Sequence, residues 1–381
     1  MKILYHHRTA SKDGMDVHIT ELIAAFERQG HDVKIVGPSS HAKAEFGSGG
    51  GLTSMIRGLL PAALGELLEL GYDILAYRRL KRAYLDYQPD VLYERYNLFL
   101  MAGRKLKQKY NMPFLLEINA PLVQERVSHG GLKFKSLANW CERSVWRAAD
   151  HVLPVSVPLA KIVEEAGVPQ ARINIIPNGV NLERFSGSRK ADETRSELGF
   201  EGAIVLGFTG FMRPWHGLGR VIQLIDERWR GLNVRLLIVG DGPIRAELEA
   251  QAKELNVEDR VMITGVVPRD QVERYVSIFD IALQPSAVPY ASPLKLFEYM
   301  ALGRAIIAPD QENIRGIVSH DTSAYLFDPD DGDAFSTAID VLCQNESLRS
   351  RLGAGARAQI KARGFTWDEN ARKIESLVQS L

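Results

Sequence analysis

Short apolar runs alternate with amphipathic segments of helical length along almost the whole chain. At the start, a continuous apolar run gives way to a 3.6-residue period, which predicts a strand over 2–6, a helix over 18–29 and a strand over 33–36. Further runs of strand length lie at 91–93, 114–116, 152–155, 175–176, 203–206, 235–239, 261–264, 281–284 and 305–308. Because strands that alternate with helices form parallel sheets, the pattern predicts an α/β fold with two doubly wound, Rossmann-like sheets.

The length of 381 residues exceeds what one hydrophobic core usually organises, so two domains are expected. A polar stretch at 186–193 precedes the second α/β series. We predict an N-terminal domain over 1–175, completed by a C-terminal helix over 366–381, and a C-terminal domain over 176–365. The apolar face of that last helix, with Ile374, Leu377 and Leu381, is expected to be buried.

Charge and cysteine content narrow the class of protein. Lys plus Arg and Asp plus Glu both number 47, so the zero net charge gives no bulk attraction to nucleic acid. Residues 73–147 nevertheless hold 14 basic against 7 acidic side chains, which favours an anionic ligand or surface. Cys141 and Cys343 form neither a disulfide framework nor a metal-ligand spacing, and a reducing cytoplasm fits best.

No apolar run is long enough for a signal peptide or a membrane-spanning helix, so we expect a soluble protein or one peripheral at the inner membrane face. One segment, 52–82, combines leucines at helical spacing with Arg78, Arg79, Lys81 and Arg82. It is interpreted either as an interfacial helix on a membrane or acceptor lipid, or as a helix that packs on the first sheet.

The segment 292–303, SPLKLFEYMALG, contains both the start and the stop signals of a helix. Ser292 is a good N-cap, Pro293 suits the first helical position, and Gly303 ends the helix. At about 100° per residue one arc is apolar and is expected to be buried, with Leu296, Phe297, Met300 and Ala301. The opposite arc, expected to face away from the core, holds Lys295, Glu298 and Tyr299.

The start of this helix has the chemistry of a nucleotide site. Free amides at Leu294 and Lys295, together with the Lys295 ammonium, attract a diphosphate. Glu298, one turn later, could accept two hydrogen bonds from a vicinal diol such as a ribose. The alternative is an ordinary surface helix with a solvated glutamate.

A second candidate lies at 207–217, directly after a predicted strand. Glycines such as Gly210 permit close backbone approach to phosphate, and Arg213 and His216 supply donors. The alternative is a loop that is merely rich in turn residues. Both candidates follow the carboxyl ends of strands, the edge at which open α/β sheets bind ligands.

Taken in order, these segments resemble the retaining glycosyltransferases of the two-domain GT-B type, in particular family 4, glycosyl transferases group 1. The segments that carry the resemblance are 155–156, 176–181 with Phe185, 207–217, 237–243, 259–261 with Gly265, and 292–303. The first half agrees less sharply, through Gly14 with Val17 and His18, and through 117–122. The resemblance implies two Rossmann-like domains that face a cleft.

The resemblance also implies an activity: transfer of a sugar, with retention, from a UDP- or GDP-linked donor to an acceptor hydroxyl in polysaccharide, glycolipid or glycoconjugate synthesis. The partners implied are the nucleotide sugar and a sugar or lipid-linked acceptor. Neither a cofactor nor a metal is implied, because the protein stabilises the leaving diphosphate electrostatically. The Asp-x-Asp formed by Asp328 and Asp330 lies in an Asp-rich segment and is expected to be a turn and not a metal site.

Roles follow residue by residue. The catalytic group implied by the resemblance comprises Arg213, Lys295 and Glu298. Further donor contacts are expected from Gly210, His216, Gly240, Tyr290, Ser292, Pro293 and Leu294. Acceptor contacts are expected from Gly14, His18, Glu117 and Asn119.

Two positions depart from the family pattern. His216 stands where the family usually has lysine, so charge compensation is expected to be weaker or pH-dependent there. Tyr290 stands where the family has the first of two glutamates, which leaves the donor sugar open. Two rival functions are a nucleotide-sugar epimerase of the same fold, for which no pair of poised carboxylates is seen, and a catalytically weak partner subunit. Arg213, Lys295 and Glu298 argue against the second rival.

Overall fold

The computed structural model describes residues 1–9, 14–38, 62–128, 130–186 and 191–381. Its contacts divide the chain into two compact units. Unit 1 comprises Met1–Pro177, Tyr290–Ser292 and Trp367–Leu381, and unit 2 comprises Asn178–Pro289 and Pro293–Thr366. The C-terminal residues therefore lie with the N-terminal half of the chain.

Strands and helices alternate through the described residues. The first half contains β1 (Lys2–His6), α1 (Gly14–Arg28), β2 (Asp32–Val36), α2 (Ala62–Tyr87), β3 (Val91–Arg95), α3 (Ala102–Tyr110), β4 (Phe114–Ile118), α4 (Leu122–Ser128), α5 (Lys135–Ala148), β5 (His151–Pro154) and α6 (Val157–Glu165). The second half contains α7 (Ala191–Glu197), β6 (Ile204–Thr209), α8 (Leu218–Glu227), β7 (Val234–Val239), α9 (Arg245–Glu254), β8 (Val261–Ile263), α10 (Val272–Val276), β9 (Ile281–Leu283), α11 (Leu294–Ala301), β10 (Ala305–Pro309), α12 (Glu312–Arg315), β11 (Tyr325–Phe327), α13 (Ala334–Gln344), α14 (Glu346–Arg363) and α15 (Trp367–Gln379).

Unit 1 is built on a parallel sheet with the strand order β2-β1-β3-β4-β5. Every residue of β3 and β4 is buried, because helices cover both faces of the sheet. The order reverses between β1 and β3, so the carboxyl ends of these strands flank the point at which such sheets bind ligands.

Unit 2 is built on a parallel sheet with the order β11-β10-β9-β6-β7-β8, which is the Rossmann order. Its reversal lies between β6 and β9. The loop after β6 and the segment that leads from β9 into α11 therefore emerge at this point. The predicted class, two Rossmann-like parallel-sheet units, is confirmed.

Several local predictions are wrong. Residues 175–176 are not a strand: Ile175 is 41% exposed, and Val180 makes only an isolated bridge to Thr366. These apolar residues instead lie in an extended segment near the point where the chain passes from unit 1 to unit 2. In α15, Ile374 is buried as predicted, but Leu381 at the chain end is 55% exposed because the helix ends two residues earlier.

The predicted turn at Asp328 is confirmed, since its side chain accepts a hydrogen bond of 2.9 Å from the Asp330 amide. Part of the segment 52–82, namely 52–61, lies outside the described residues, as does 10–13 before Gly14. Within the described ranges, no helix combines the length and apolar character needed to cross a bilayer.

Candidate active site

The end of β6 is fixed by a tyrosine from α11. The Tyr299 hydroxyl accepts hydrogen bonds from the Thr209 amide at 2.9 Å and from Thr209 Oγ1 at 3.2 Å. Tyr299 is fully buried, although the helical period placed it on the outer arc. This contact holds the loop after β6 against the helix that was expected to bind the donor.

The same loop passes very close to the turn after β7. Gly210 and Gly240 have φ values of +124° and +145°, a region that side chains disfavour. A Cβ atom added to Gly240 would lie 2.1 Å from the Gly210 carbonyl oxygen. Both glycines are therefore required for the backbone geometry of this loop, and their predicted contact with the donor stays a prediction.

Arg213 is held by aromatic rings. Its guanidinium lies 4.9 Å from the ring centroid of Phe211 and 5.1 Å from that of Trp215. No carboxylate forms an ion pair with Arg213 among the described residues, so none of these residues neutralises its charge. The Arg213 amide donates a hydrogen bond of 3.1 Å to Nδ1 of His216, which fixes the turn between them.

Lys295 projects from the first turn of α11 toward the same loop. Its ammonium lies 3.6 Å from the ring centroid of Phe208, and it lies beside Gly210. Burial lowers the pKa of Lys295 to about 7, and the nearby charge of Glu298 only partly opposes this. No ion pair to the Lys295 ammonium is found in the part of the chain that the structure describes.

His216 differs from its expected behaviour. Burial, followed by the charges of Lys295 and Arg213, lowers the pKa of His216 to about 3. The ring is therefore neutral near pH 7, and its Nδ1 acts as an acceptor. The expectation that His216 would titrate near neutrality is wrong, because burial and the charges of two nearby cations lower its pKa, and Lys295 has the pKa near neutrality instead.

The start of α11 lies one residue later than predicted. The helix begins at Leu294, Pro293 occupies the capping position in place of Ser292, and no side chain caps it. Gly303 ends the helix region with φ +61°, as the sequence indicated. Ser292 is buried within Tyr290–Ser292, which belongs to unit 1.

Glu298 does not face solvent. It is 5% exposed, and its Oε1 lies 2.5 Å from the Arg269 guanidinium. The helical period failed here because α11 is covered on one side by the sheet and on another by α14. Such a helix buries its polar arc as well, so Glu298 needs a cationic partner.

Arg269 was missed in the sequence. It lies just before α10, and its guanidinium also lies 5.2 Å from the ring centroid of Phe185. Nothing in the local pattern around Arg269 indicates a link to Glu298, since the pairing depends on how α10 and α11 pack. Unit 2 therefore contains one group of predicted site residues, formed by Lys295, Glu298 and the loop with Arg213 and His216. Arg269 is added to this group.

Tyr290 belongs to unit 1. Its hydroxyl donates a hydrogen bond to Glu125, and its carbonyl oxygen accepts one of 2.7 Å from Ser156 Oγ. The ring packs on the core of unit 1. Its predicted contact with the donor stays a prediction, and so do those of Ser292, Pro293 and Leu294.

Three of the predicted acceptor residues meet at one carboxylate. Glu117 accepts hydrogen bonds from His18 Nε2 at 2.8 Å and from the Asn119 amide, and it also pairs with Arg95. The Tyr93 hydroxyl, at 2.8 Å, completes the network. Gly14 is exposed at the start of α1, one turn before His18.

The electrostatics of this network keep Glu117 ionised. Burial alone would raise the pKa of the Glu117 carboxyl, but the charges and hydrogen bonds of His18 and Arg95, with that of Asn119, hold it well below its usual range. Arg95 supplies the guanidinium that pairs with the Glu117 carboxylate inside this network. The expected absence of a metal stays a prediction.

Two family models match this chain. Residues 190–359 match glycosyl transferases group 1 and residues 12–184 match glycosyltransferase family 4, so together they span about nine-tenths of the sequence. The chain is a glycosyltransferase, and its two halves match these two models in turn. The predicted family resemblance is therefore confirmed.

Curated relatives of this glycosyltransferase agree with the family match. The D-inositol 3-phosphate glycosyltransferase of Xylanimonas cellulosilytica is 25% identical over 95% of this chain and 90% of its own length. The 2-deoxystreptamine glucosyltransferase of Streptomyces kanamyceticus is 30% identical, over 49% of this chain and 50% of the relative.

Solved structures establish the fold of this glycosyltransferase. Anabaena HepE, crystallised with UDP, matches with a TM-score of 0.75 at 18% identity and covers both chains completely. The sucrose-phosphate synthase of Thermosynechococcus elongatus matches with a TM-score of 0.77 at 19% identity, over 100% of this chain and 98% of the other. The predicted GT-B fold is confirmed.

Proposed function

We propose that this glycosyltransferase moves a sugar, with retention, from a UDP- or GDP-linked donor to an acceptor hydroxyl, without a metal or cofactor. The observation that carries the proposal is the pair of cations, Arg213 and Lys295, at the strand-order reversal of unit 2. Neither cation has a carboxylate partner among the described residues, and neutral His216 lies between them. A diphosphate supplies the negative charge that this group lacks.

The start of α11 favours the same ligand. Amides in the first turn of a helix have no carbonyl partner four residues earlier, and the helix dipole adds positive potential. Leu294 and Lys295 would present such amides to the phosphates. Lys295 thus contributes both a backbone donor and a side-chain charge.

Glu298 is proposed to hold the ribose of the donor. A carboxylate has about four lone-pair sites, so pairing with Arg269 leaves capacity to accept from a vicinal diol. Arg269 also supplies a counter-charge to the buried carboxylate and limits its rotation. We therefore assign Arg269 a positioning role behind Glu298.

The proposed chemistry needs no nucleophile from the protein. Negative charge grows on the departing diphosphate, and groups arranged beforehand to receive it lower the barrier. Arg213 and Lys295 would do this, while an oxygen of the leaving phosphate takes the acceptor proton. The sugar is then transferred on the face that the diphosphate leaves.

The acceptor side is proposed to use the unit 1 network. His18 and Asn119 would contact an acceptor, with Glu117 as the buried group that positions both. Gly14 lies at the exposed start of α1, one turn before His18. The names of the relatives, which include a lipopolysaccharide N-acetylglucosaminetransferase and an amylovoran biosynthesis glycosyltransferase, support polysaccharide or glycolipid synthesis as the context.

Nucleotide protection tests the donor site directly. A nucleoside diphosphate or its sugar at about 100 times its Kd should stabilise the folded protein by about 2.7 kcal/mol, measured as a shift in thermal unfolding. UDP-, GDP- and ADP-linked sugars should be compared. We expect Glu298→Ala to lose most of the shift, and Glu247→Ala, an exposed glutamate of α9, to keep it.

A flat response of the wild type to every nucleotide would favour a partner subunit without catalysis. A shift that Glu298→Ala retains in full would contradict the ribose assignment but leave the diphosphate site standing.

The binding of a diphosphate should also depend on the protonation of Lys295. Its pKa of about 7 in the free protein must rise when an anion binds, so at pH 8 binding takes up close to one proton. Affinity should therefore fall by up to about tenfold per pH unit above pH 7, until the raised pKa is reached. Calorimetry at pH 8 in buffers with different ionisation enthalpies measures the uptake.

Two variants locate that proton. Lys295→Met should abolish the uptake, and His216→Asn should preserve it, because His216 is neutral in this range. Loss of the uptake in His216→Asn but not in Lys295→Met would reverse the assignment.

A further inference from the structure

Helix α2 carries acidic side chains on its inner face. Glu66, Glu69 and Asp73 are only 3%, 5% and 4% exposed. Their spacing of three and four residues places them on one side of the helix. A helix that packs on a sheet usually buries apolar residues on that side, so the first half of α2 reverses the normal arrangement, whereas its second half buries Ala76, Leu80 and Ala83 in the core.

Each acid is satisfied by a neighbouring element of unit 1. The Glu66 carboxylate accepts hydrogen bonds from the backbone amides of Lys133 and Phe134 at 2.6 and 2.8 Å, just before α5. Glu69 accepts two from the Arg126 guanidinium, at 3.2 and 2.9 Å. Asp73 accepts one of 2.7 Å from the Met101 amide at the start of α3. Polar contacts therefore anchor the inner face of α2.

The outer face of α2 is apolar. Its large exposed residues, with exposed fractions from 43% to 57%, are Leu64, Leu67, Leu68, Ile74 and Leu75. At about 100° per residue they lie opposite the buried acids. Exposure of so many large aliphatic side chains on one helix face marks an interaction surface rather than ordinary scatter.

Basic residues continue this face toward the end of the helix. Arg78, Arg79 and Arg82 are exposed and occupy the same arc as the leucines. They have no ion-pair partner among the described residues; Asp86, also exposed, is the acidic side chain that lies nearest along the arc. The outer face is thus apolar over its first half and cationic over its second.

Exposed apolar side chains also occur around the start of α5, where Phe134, Leu137 and Trp140 are 36%, 37% and 55% exposed. The amides of Lys133 and Phe134 donate hydrogen bonds to Glu66 and so tie the start of α5 to the inner face of α2. The Arg104 guanidinium lies 5.9 Å from the Trp140 ring centroid, so cation and aromatic ring again adjoin.

We propose that the outer face of α2 docks on an anionic lipid bilayer. A helix face with leucines beside arginines is typical of helices that lie at the boundary of acyl chains and headgroups. Arginines beside that boundary are attracted to negatively charged headgroups. A second copy of the chain would place like charges together, which disfavours self-association.

This surface goes beyond the proposed function, since neither donor binding nor sugar transfer requires it. It also narrows the interfacial interpretation of 52–82 to the outer face of residues 64–82. The other interpretation, a helix that packs on the first domain, holds for the inner face. There the acidic side chains accept hydrogen bonds from neighbouring elements of unit 1.

Vesicle sedimentation tests the proposal. The full chain should sediment with vesicles of phosphatidylcholine and phosphatidylglycerol in equal parts, bind poorly to phosphatidylcholine alone, and dissociate at high salt. Leu67→Glu/Leu68→Glu and, separately, Arg78→Glu/Arg79→Glu/Arg82→Glu should each weaken binding at least about tenfold. Leu232→Glu, which alters a leucine of unit 2 that is 43% exposed, is the matched control and should bind as the wild type does.

The proposal is overturned if the wild type ignores anionic vesicles, if it binds neutral ones equally, or if either α2 variant binds normally. Light scattering that shows a dimer in the wild type and a monomer in Leu67→Glu/Leu68→Glu would assign the face to a second copy instead. Nucleotide protection should be unchanged in both α2 variants, which separates failure of this surface from failure of the donor site.

Discussion

Replacing Arg213 with alanine is expected to lower kcat by roughly 10²- to 10³-fold, while the affinity for the nucleoside diphosphate changes far less. The guanidinium lies over the rings of Phe211 and Trp215, and no carboxylate within the described ranges pairs with it. It therefore interacts most strongly with a ligand whose negative charge increases during the reaction. An interaction that strengthens in the transition state affects turnover more than binding.

The measurement combines initial transfer or hydrolysis rates, with the donor identified by nucleotide protection, and calorimetric Kd values. Arg213→Lys should recover only part of the rate, because a lysine keeps the charge but loses the planar stacking. Arg363→Ala is a suitable control, since its guanidinium also lies over an aromatic ring, 4.7 Å from the centroid of Phe365. Equal losses in kcat and affinity would show that Arg213 acts through binding alone.

Glu117→Gln is expected to destabilise the protein by about 3–5 kcal/mol. The substitution keeps the shape of the side chain but removes the charge that Arg95 and His18 share, and it leaves a buried guanidinium without a counter-ion. The change in stability is measured by urea unfolding of the full chain, from the shift of the first unfolding transition. Glu27→Gln, at an exposed position of α1, should change stability by no more than about 0.5 kcal/mol.

The effect should also depend on pH. The pKa of Glu117 in the folded protein lies well below its unfolded value, so the carboxylate contributes stability above about pH 4 and loses it as the pH falls further. The difference between wild type and Glu117→Gln should therefore narrow in acid. A difference that stays constant down to the acid limit of folding would mean that packing, not charge, accounts for it.

The sheets were predictable because their strands are buried on both faces and therefore appear as continuous apolar runs. The strand β11 was missed, since three residues at the edge of a sheet give little signal. The glycines and the cations of unit 2 were also predictable from the sequence, because loops after strand ends seldom contain such residues for folding alone. The family resemblance added an expectation that spacing alone did not give, namely the substrate class.

The errors have a common physical origin. Periodicity tells which positions share a face, but it does not tell how many faces are covered, so Glu298 and Tyr299 were placed in solvent. It also did not reveal that α2 presents its acids to the core. The protonation of His216 and the Glu298 to Arg269 pair depend on residues far apart in sequence, which only the tertiary structure brings together.

The reversed polarity of α2 determines which amino-acid substitutions this region tolerates. Its exposed leucines, such as Leu67 and Leu68, look indispensable on a helical wheel, yet they do not pack in the core as Leu80 does, so they are free to drift unless an outside contact selects them. The three acids look dispensable, yet each ties a separate piece of backbone or an arginine in place. Alignments that score this helix by hydropathy will therefore misjudge which substitutions it tolerates.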